Sequence, residues 1–204
     1  MLVIESTSAK SQDIGASLLR VVRGFLLVAA TSLGLLSPSI VNANGFSLNG
    51  TIYDDVAKEV GVDPYMLYAV TLVESGKAVG GQVQPWPYVL RAIDARIYAA
   101  DEFEFRAAFE LFQTRYGDRF DVGLGQTNVY WQVTRAGRVK DPAELLDIRT
   151  NLVVTAKVLK DAMRSAPKDP ELGVGRYHNW KDEDRARLFG KRVLAVHQNL
   201  IAGP

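Results

Sequence analysis

The sequence predicts a mainly helical domain carrying one small β-hairpin. Two observations point to helices. Apolar residues recur at helical spacing, as in Leu152, Ala156, Leu159 and Met163. Helix-start chemistry precedes another such run, with Asp63 suited to cap and Pro64 to occupy the first helical position. The strand signal is short: residues 88–93 and 96–99 around Asp94-Ala95.

In chain order, residues 51–60 read as a short helix with Asn49 or Thr51 near its N-cap. A second helix runs from Pro64 through Glu74 and stops near Gly76. Residues 80–88 read as loop, with Pro85 and Pro87 fixing extended backbone. The hairpin follows, then a helix over 102–116 with Phe105, Phe109 and Phe112 on one side. Residues 121–128 read as a glycine-punctuated loop, followed by a short helix through Tyr130 and Trp131. A strong helix covers 149–165, and Pro167 and Pro170 interrupt it. Further helices are expected over 171–179 and 184–201, the last with Ala186, Phe189, Val193, Val196 and Leu200 on one stripe. There is no internal repeat and no low-complexity tract.

Composition excludes several chemistries. The chain has 204 residues, 24 Lys+Arg, 23 Asp+Glu, no cysteine, and two histidines, His178 and His197. Without cysteine there is no disulfide framework, thiolate metal site or cysteine nucleophile. Two histidines leave little for a histidine-rich metal site, so neither metal nor cofactor is expected. A net charge of +1 argues against binding nucleic acid through bulk charge. A 48% hydrophobic fraction belongs to a globular chain.

The first 43 residues differ from the rest. Arg20 and Arg23 precede an apolar run over residues 24–36, well short of the roughly 20 residues of a comfortable membrane span. Pro38 and then Val41-Asn42-Ala43 follow, with small side chains at the −3 and −1 positions of a cleavage site. The expectation is a secretory signal peptide over 1–43, cut after Ala43, a periplasmic destination, and no stable membrane insertion after cleavage. An uncleaved anchor is the alternative. Subtracting 43 from 204 leaves 161 residues, 44–204, as one domain. The leader carries Lys10, Arg20 and Arg23 against Glu5 and Asp13, so the remainder is formally neutral.

Glu74 stands out on physical grounds. It lies seven positions after Leu67 and four after Val70, on the apolar face of its helix. It also lies in the last turn, where the helix dipole disfavours negative charge. Both effects favour a protonated carboxyl, the form needed to protonate a glycosidic oxygen. The plainer alternative is a side chain that frays into solvent.

Four motifs follow in order: Glu74-Ser75, then Gly123-Leu124-Gly125-Gln126-Thr127-Asn128, then Asn151-Leu152, then Tyr177-His178-Asn179. In this order they resemble the soluble lytic transglycosylases, over about residues 53–199. The family opens on Glu-Ser, continues with Gly-Leu-Met-Gln, and ends on Tyr followed by Asn or His. The segment Gln84-Pro85-Trp86-Pro87 is similar to members associated with conjugation and type IV secretion systems. Two departures stand out: Gly125 replaces the usual Met of the sugar-binding floor, and Thr127 replaces the commoner Ile.

The resemblance implies a goose-type-lysozyme-like helical domain. It implies peptidoglycan glycan strands as substrate, Glu74 as the single catalytic carboxyl, and 1,6-anhydromuramoyl ends as product. It also implies a secretion or conjugation complex as a partner. Gln126 would hydrogen-bond the sugar, and Tyr177 would orient Glu74 or the substrate N-acetyl group. Ser75 and Asn128 complete the expected substrate-binding set, with Ser75 supporting the helix end. Asn151 would tie helices together. Asp121 reads as a solvated loop residue, and His178 as a family variant without a catalytic role. Trp86, Tyr88, Tyr130 and Trp131 are candidates for stacking on sugar rings. A non-catalytic glycan-binding scaffold and a lysozyme-like hydrolase remain as alternatives.

Overall fold

The computed structural model describes residues 46–202, so the expected leader over 1–43 lies outside the described residues. In order come α1 (Ile52–Val60), α2 (Pro64–Ser75), β1 (Gly76–Val79), β2 (Gln82–Pro85), β3 (Val89–Arg91) and β4 (Arg96–Tyr98). Then follow α3 (Glu102–Tyr116), β5 (Asp121–Val122) and β6 (Thr127–Asn128). A π-helical turn (Tyr130–Arg135), a 3-10 turn (Pro142–Leu146), α4 (Ile148–Ser165), α5 (Pro170–Gly175) and α6 (Glu183–Ala202) complete the chain. The architecture is mainly helical with small antiparallel sheets.

Side-chain caps start most of the helices. Asp63 Oδ1 accepts from the Met66 amide at 2.6 Å, and Asp101 Oδ1 from Glu104 at 2.9 Å. Asp147 Oδ1 accepts from Thr150 at 2.7 Å, and Asp169 Oδ1 from Leu172 at 3.0 Å. Each satisfies an amide the helix itself cannot. Pro170 opens α5 from its first turn. That helix ends at Gly175, short of the expected 179, because the chain turns: the amides of His178 and Asn179 both return to the Gly175 carbonyl.

Three expectations need correction. The stretch 80–88 is not all loop, because β1 and β2 form a second hairpin with Gly76 opposite Pro85 and Val79 opposite Gln82. Gly80 and Gly81 turn it at φ 59° and 81°, the positive pair that a type I′ turn requires. The stretch 121–128 also contains strands, with Asp121 opposite Asn128 and Val122 opposite Thr127. The expected hairpin 88–99 is therefore half of a four-stranded sheet, ordered β4-β3-β5-β6. Two-residue strands are too short to display an alternating pattern, which is why periodicity misses them.

Two hydrophobic clusters form the core. One gathers Val56, Leu67, Val70, Leu152, Leu159, Val174 and Phe189. The other gathers Leu90, Ile97, Phe105, Phe109, Phe112, Phe120 and Val129 around the sheet and α3. Helix α4 serves both, since Leu152, Ala156 and Leu159 face the first and Val154 faces the second. Met163, the last residue of the expected stripe, lies on the exposed part of that helix. Helices α5 and α6 cross closely. A Cβ on Gly190 would lie 2.0 Å from the Glu171 carbonyl oxygen, and one on Gly175 would lie 2.0 Å from that of Ala186. That close crossing brings the turn after α5 against Phe189.

Candidate functional site

Glu74 is buried, with 7% of its surface exposed, on the same face as the fully buried Leu67 and Val70. It does not fray into solvent. Arg96 of β4 holds the helix end, donating from Nη2 to the Glu74 carbonyl oxygen at 3.0 Å. The Glu74 carboxyl meets His178 through Oε1, 3.1 Å from the imidazole Nδ1. Among the described residues no hydrogen bond engages Oε2.

His178 was expected to have no special place, yet it is the direct partner of Glu74. Its ring lies nearly parallel to Phe189, 4.8 Å away at 7°, so its orientation is set by packing. The hydrogen bond to Glu74 raises its pKa above the usual histidine value, and partial burial opposes that rise. About a third of the side chain, 37%, remains open to solvent. Tyr177 stacks on the same Phe189 ring at 6.2 Å. Its hydroxyl donates to the Gly125 carbonyl oxygen at 2.5 Å, so it braces the glycine loop and does not bond Glu74. Burial, and then the nearby Glu74 charge, push the Tyr177 pKa upward.

Asp121 is the second departure. It is half-buried on β5, not a solvated loop residue. Burial pushes its pKa up to about 6, while the hydrogen bond from Asn128 and the charge of Arg91 act downward. Glu74 and His178 lie within its electrostatic reach. Asn128 donates from Nδ2 to Asp121 Oδ1 at 2.7 Å and accepts the Trp131 amide at 3.2 Å. Asn128 thus sits at the site by holding Asp121.

The remaining expected residues face inward. Gln126 is buried, and its Nε2 donates to the carbonyl oxygens of Gly123 at 3.0 Å and Val89 at 3.3 Å. Its Oε1 is buried without a hydrogen-bond partner among the described residues, and its backbone lies at φ 46°, a strained region for a non-glycine residue. Gln126 therefore acts on the loop that carries the site. Ser75 is fully buried and donates to the Thr71 carbonyl oxygen at 2.9 Å, which props the end of α2. Asn151 ties α4 to the glycine loop and to the 3-10 turn. It donates to the Val122 and Leu145 carbonyl oxygens and accepts the Gly125 amide. Gly125 packs on Thr155, whose Oγ1 would lie 1.9 Å from a Cβ there. A helix side chain thus fills the space that a side chain at position 125 would need.

Of the aromatic candidates, Trp131 is exposed, whereas Trp86 is held by its indole N–H bond to the Ala99 carbonyl oxygen at 2.8 Å. Tyr88 packs against Phe105 at 5.6 Å. An apolar hollow of about 280 Å³ lies beside the glycine loop, lined by Tyr53, Tyr68, Pro85, Pro87 and Leu124 among others. Glu74 is not part of its wall. Among the described residues no group of three or more His, Asp or Glu is placed to hold a metal ion.

The chain matches none of the family models, curated proteins or solved structures with which it was compared.

The site must therefore be read from its own chemistry. A buried carboxyl is engaged through one oxygen by a histidine whose pKa is raised, and a half-buried second carboxyl of raised pKa lies within electrostatic reach of both. Proton transfer is the chemistry such a group of residues supports. Sequence reasoning found the first member and passed over the other two.

Proposed function

We propose that this protein is an exported lytic transglycosylase with a lysozyme-like helical fold. It cleaves the β-1,4 bond between N-acetylmuramic acid and N-acetylglucosamine in peptidoglycan. The observation that carries this reading is Glu74: a buried carboxyl, bonded through Oε1 and with no described bond to Oε2. A carboxyl so held can present a proton to a glycosidic oxygen. The proton goes to the leaving oxygen as its bond to the muramoyl C1 breaks. The resulting carboxylate then accepts the proton of the muramoyl C6 hydroxyl as that oxygen bonds to C1. Glu74 ends protonated, no water is consumed, and the product carries a 1,6-anhydro end.

The order of the four motifs supports the same reading, as do the loop contacts among them: Tyr177 reaches Gly125, and Asn151 reaches both Gly125 and Val122. A cleavable leader, a periplasmic location and work beside a secretion or conjugation complex complete the proposal.

Asp121 favours a second reading, a lysozyme-like hydrolase. Two carboxyls flanking a glycosidic bond are the usual equipment of hydrolysis, the second serving as nucleophile or as base toward water. Asp121 lies within electrostatic reach of Glu74 on the neighbouring sheet. Digestion of purified peptidoglycan, with fragments analysed by mass, separates the two. Anhydro ends are expected. Reducing ends would replace the transglycosylase reading by the hydrolase, and no release at all would leave a non-catalytic glycan binder.

A further inference from the structure

We propose that His178 is a positioning residue for Glu74, and that the two side chains share the proton used in cleavage. This rests on the reading of Glu74 as the proton donor. Three features of the fold carry it. Nδ1 lies 3.1 Å from Glu74 Oε1, within hydrogen-bond reach. The ring cannot turn freely, because it lies flat on Phe189 at 4.8 Å, and the backbone amide of His178 is tied to the Gly175 carbonyl oxygen at 3.0 Å. The imidazole is also partly open, so it exchanges protons with bulk water while Glu74 stays buried.

With hydrogen on Nδ1, the imidazole donates to Oε1 and keeps that oxygen occupied. The carboxyl proton is then directed to Oε2, the oxygen with no described bond inside the protein. One proton is shared by the pair, residing on Glu74 Oε2 or on His178 Nε2. When Glu74 gives up its proton, the bond from Nδ1–H becomes charge-assisted and stabilises the carboxylate. When the C6 hydroxyl returns a proton, the starting form is restored. His178 undergoes no net change.

The charged groups facing the imidazole are Glu74 on α2, Arg91 on β3 and Asp121 on β5. Helix α6 contributes the uncharged Phe189 ring. Glu74 raises the affinity of the imidazole for its proton, Asp121 adds to this, and Arg91 opposes it. The imidazole therefore keeps its proton at a higher pH than a free histidine would.

Two measurements on the full chain test this. The first follows the His178 ring by NMR through a pH titration, with His197→Asn used to separate the two histidines. A midpoint above the ordinary 6.5 is expected in the wild type, falling back in Glu74→Gln. A midpoint unmoved by Glu74→Gln would overturn the pairing. The second follows kcat/KM on peptidoglycan against pH. In His178→Asn the site loses the shared proton, and the basic limb is expected about one pH unit or more lower. His178→Ala removes the donor that the Asn amide keeps near the Nδ1 position, and it should show the same displaced limb with a larger loss of rate. An even loss across all pH, with the limb unmoved in both variants, would reduce His178 to a packing residue. A wild type that cleaves no glycan at any pH would overturn the transglycosylase reading and the shared catalytic proton with it, while the NMR midpoint would still decide the pairing.

Discussion

A carboxyl buried in the last turn of a helix needs a partner, and Glu74 finds it 104 positions later in the chain. On the proposed function, Glu74→Gln removes the proton donor while nearly preserving shape. At least about a 100-fold loss of peptidoglycan cleavage is expected, with the far-ultraviolet circular dichroism spectrum unchanged. Near-normal cleavage would remove Glu74 from the mechanism. Asp121 makes a prediction about stability. Its folded pKa, pushed up to about 6, exceeds the ordinary 3.8. The folded state therefore holds the proton more tightly than the unfolded chain. Stability should fall as pH rises from about 4 to 6 and level off above that. Asn keeps an oxygen for Asn128 and carries no charge. Asp121→Asn should then stabilise the protein by about 1–2 kcal/mol at pH 7.5, with the advantage vanishing near pH 3. Urea unfolding at the two pH values checks this, and equal effects at both would remove the buried charge as the cause. The spacing of Glu74 after Leu67 and Val70 points to its burial but leaves fraying at the helix end open, and the fold decides between them. The burial of Asp121 is not legible in the sequence, because it comes from Asn128 and a neighbouring strand.

At the scale of elements, the helices were legible because their signals are local. Asp63-Pro64 announces α2, and Asp101, Asp147 and Asp169 cap the helices that follow them. The sheets were less legible because a strand's partners are distant: β3 pairs with both β4 and β5. The Gly80-Gly81 turn was the available signal for the second hairpin. The glycine loop joins element and site. Gly125→Met should destabilise the protein by about 2 kcal/mol or more, since Thr155 occupies the required space. Thr155→Gly in the same chain should recover part of that loss in a double-mutant cycle. Strict additivity of the two changes in thermal unfolding would count against the contact.

The whole molecule depends on α4, which packs against both clusters. Leu152→Ala should cost about 2–5 kcal/mol and Phe109→Ala about 3–5 kcal/mol, both residues being almost fully buried. Because the clusters share that helix, each variant should lower a single melting transition. Two separated transitions in calorimetry would show that the clusters unfold independently.

The sequence alone determined the mainly helical class and the exclusion of thiol chemistry, and it placed Glu74 on an apolar helix face while leaving fraying into solvent open. Each depends on residue identity or on spacing within a few turns. Only the tertiary structure decided what surrounds that carboxyl. His178 reaches it because α5 and α6 cross on glycines, and Phe189 then fixes the ring. Gln126 faces inward because its backbone and amide close a loop against Val89. Asp121 becomes a second, half-buried carboxyl because β5 pairs with β3 and β6. Contacts of this kind join segments far apart in sequence, and no local pattern encodes which of them will meet.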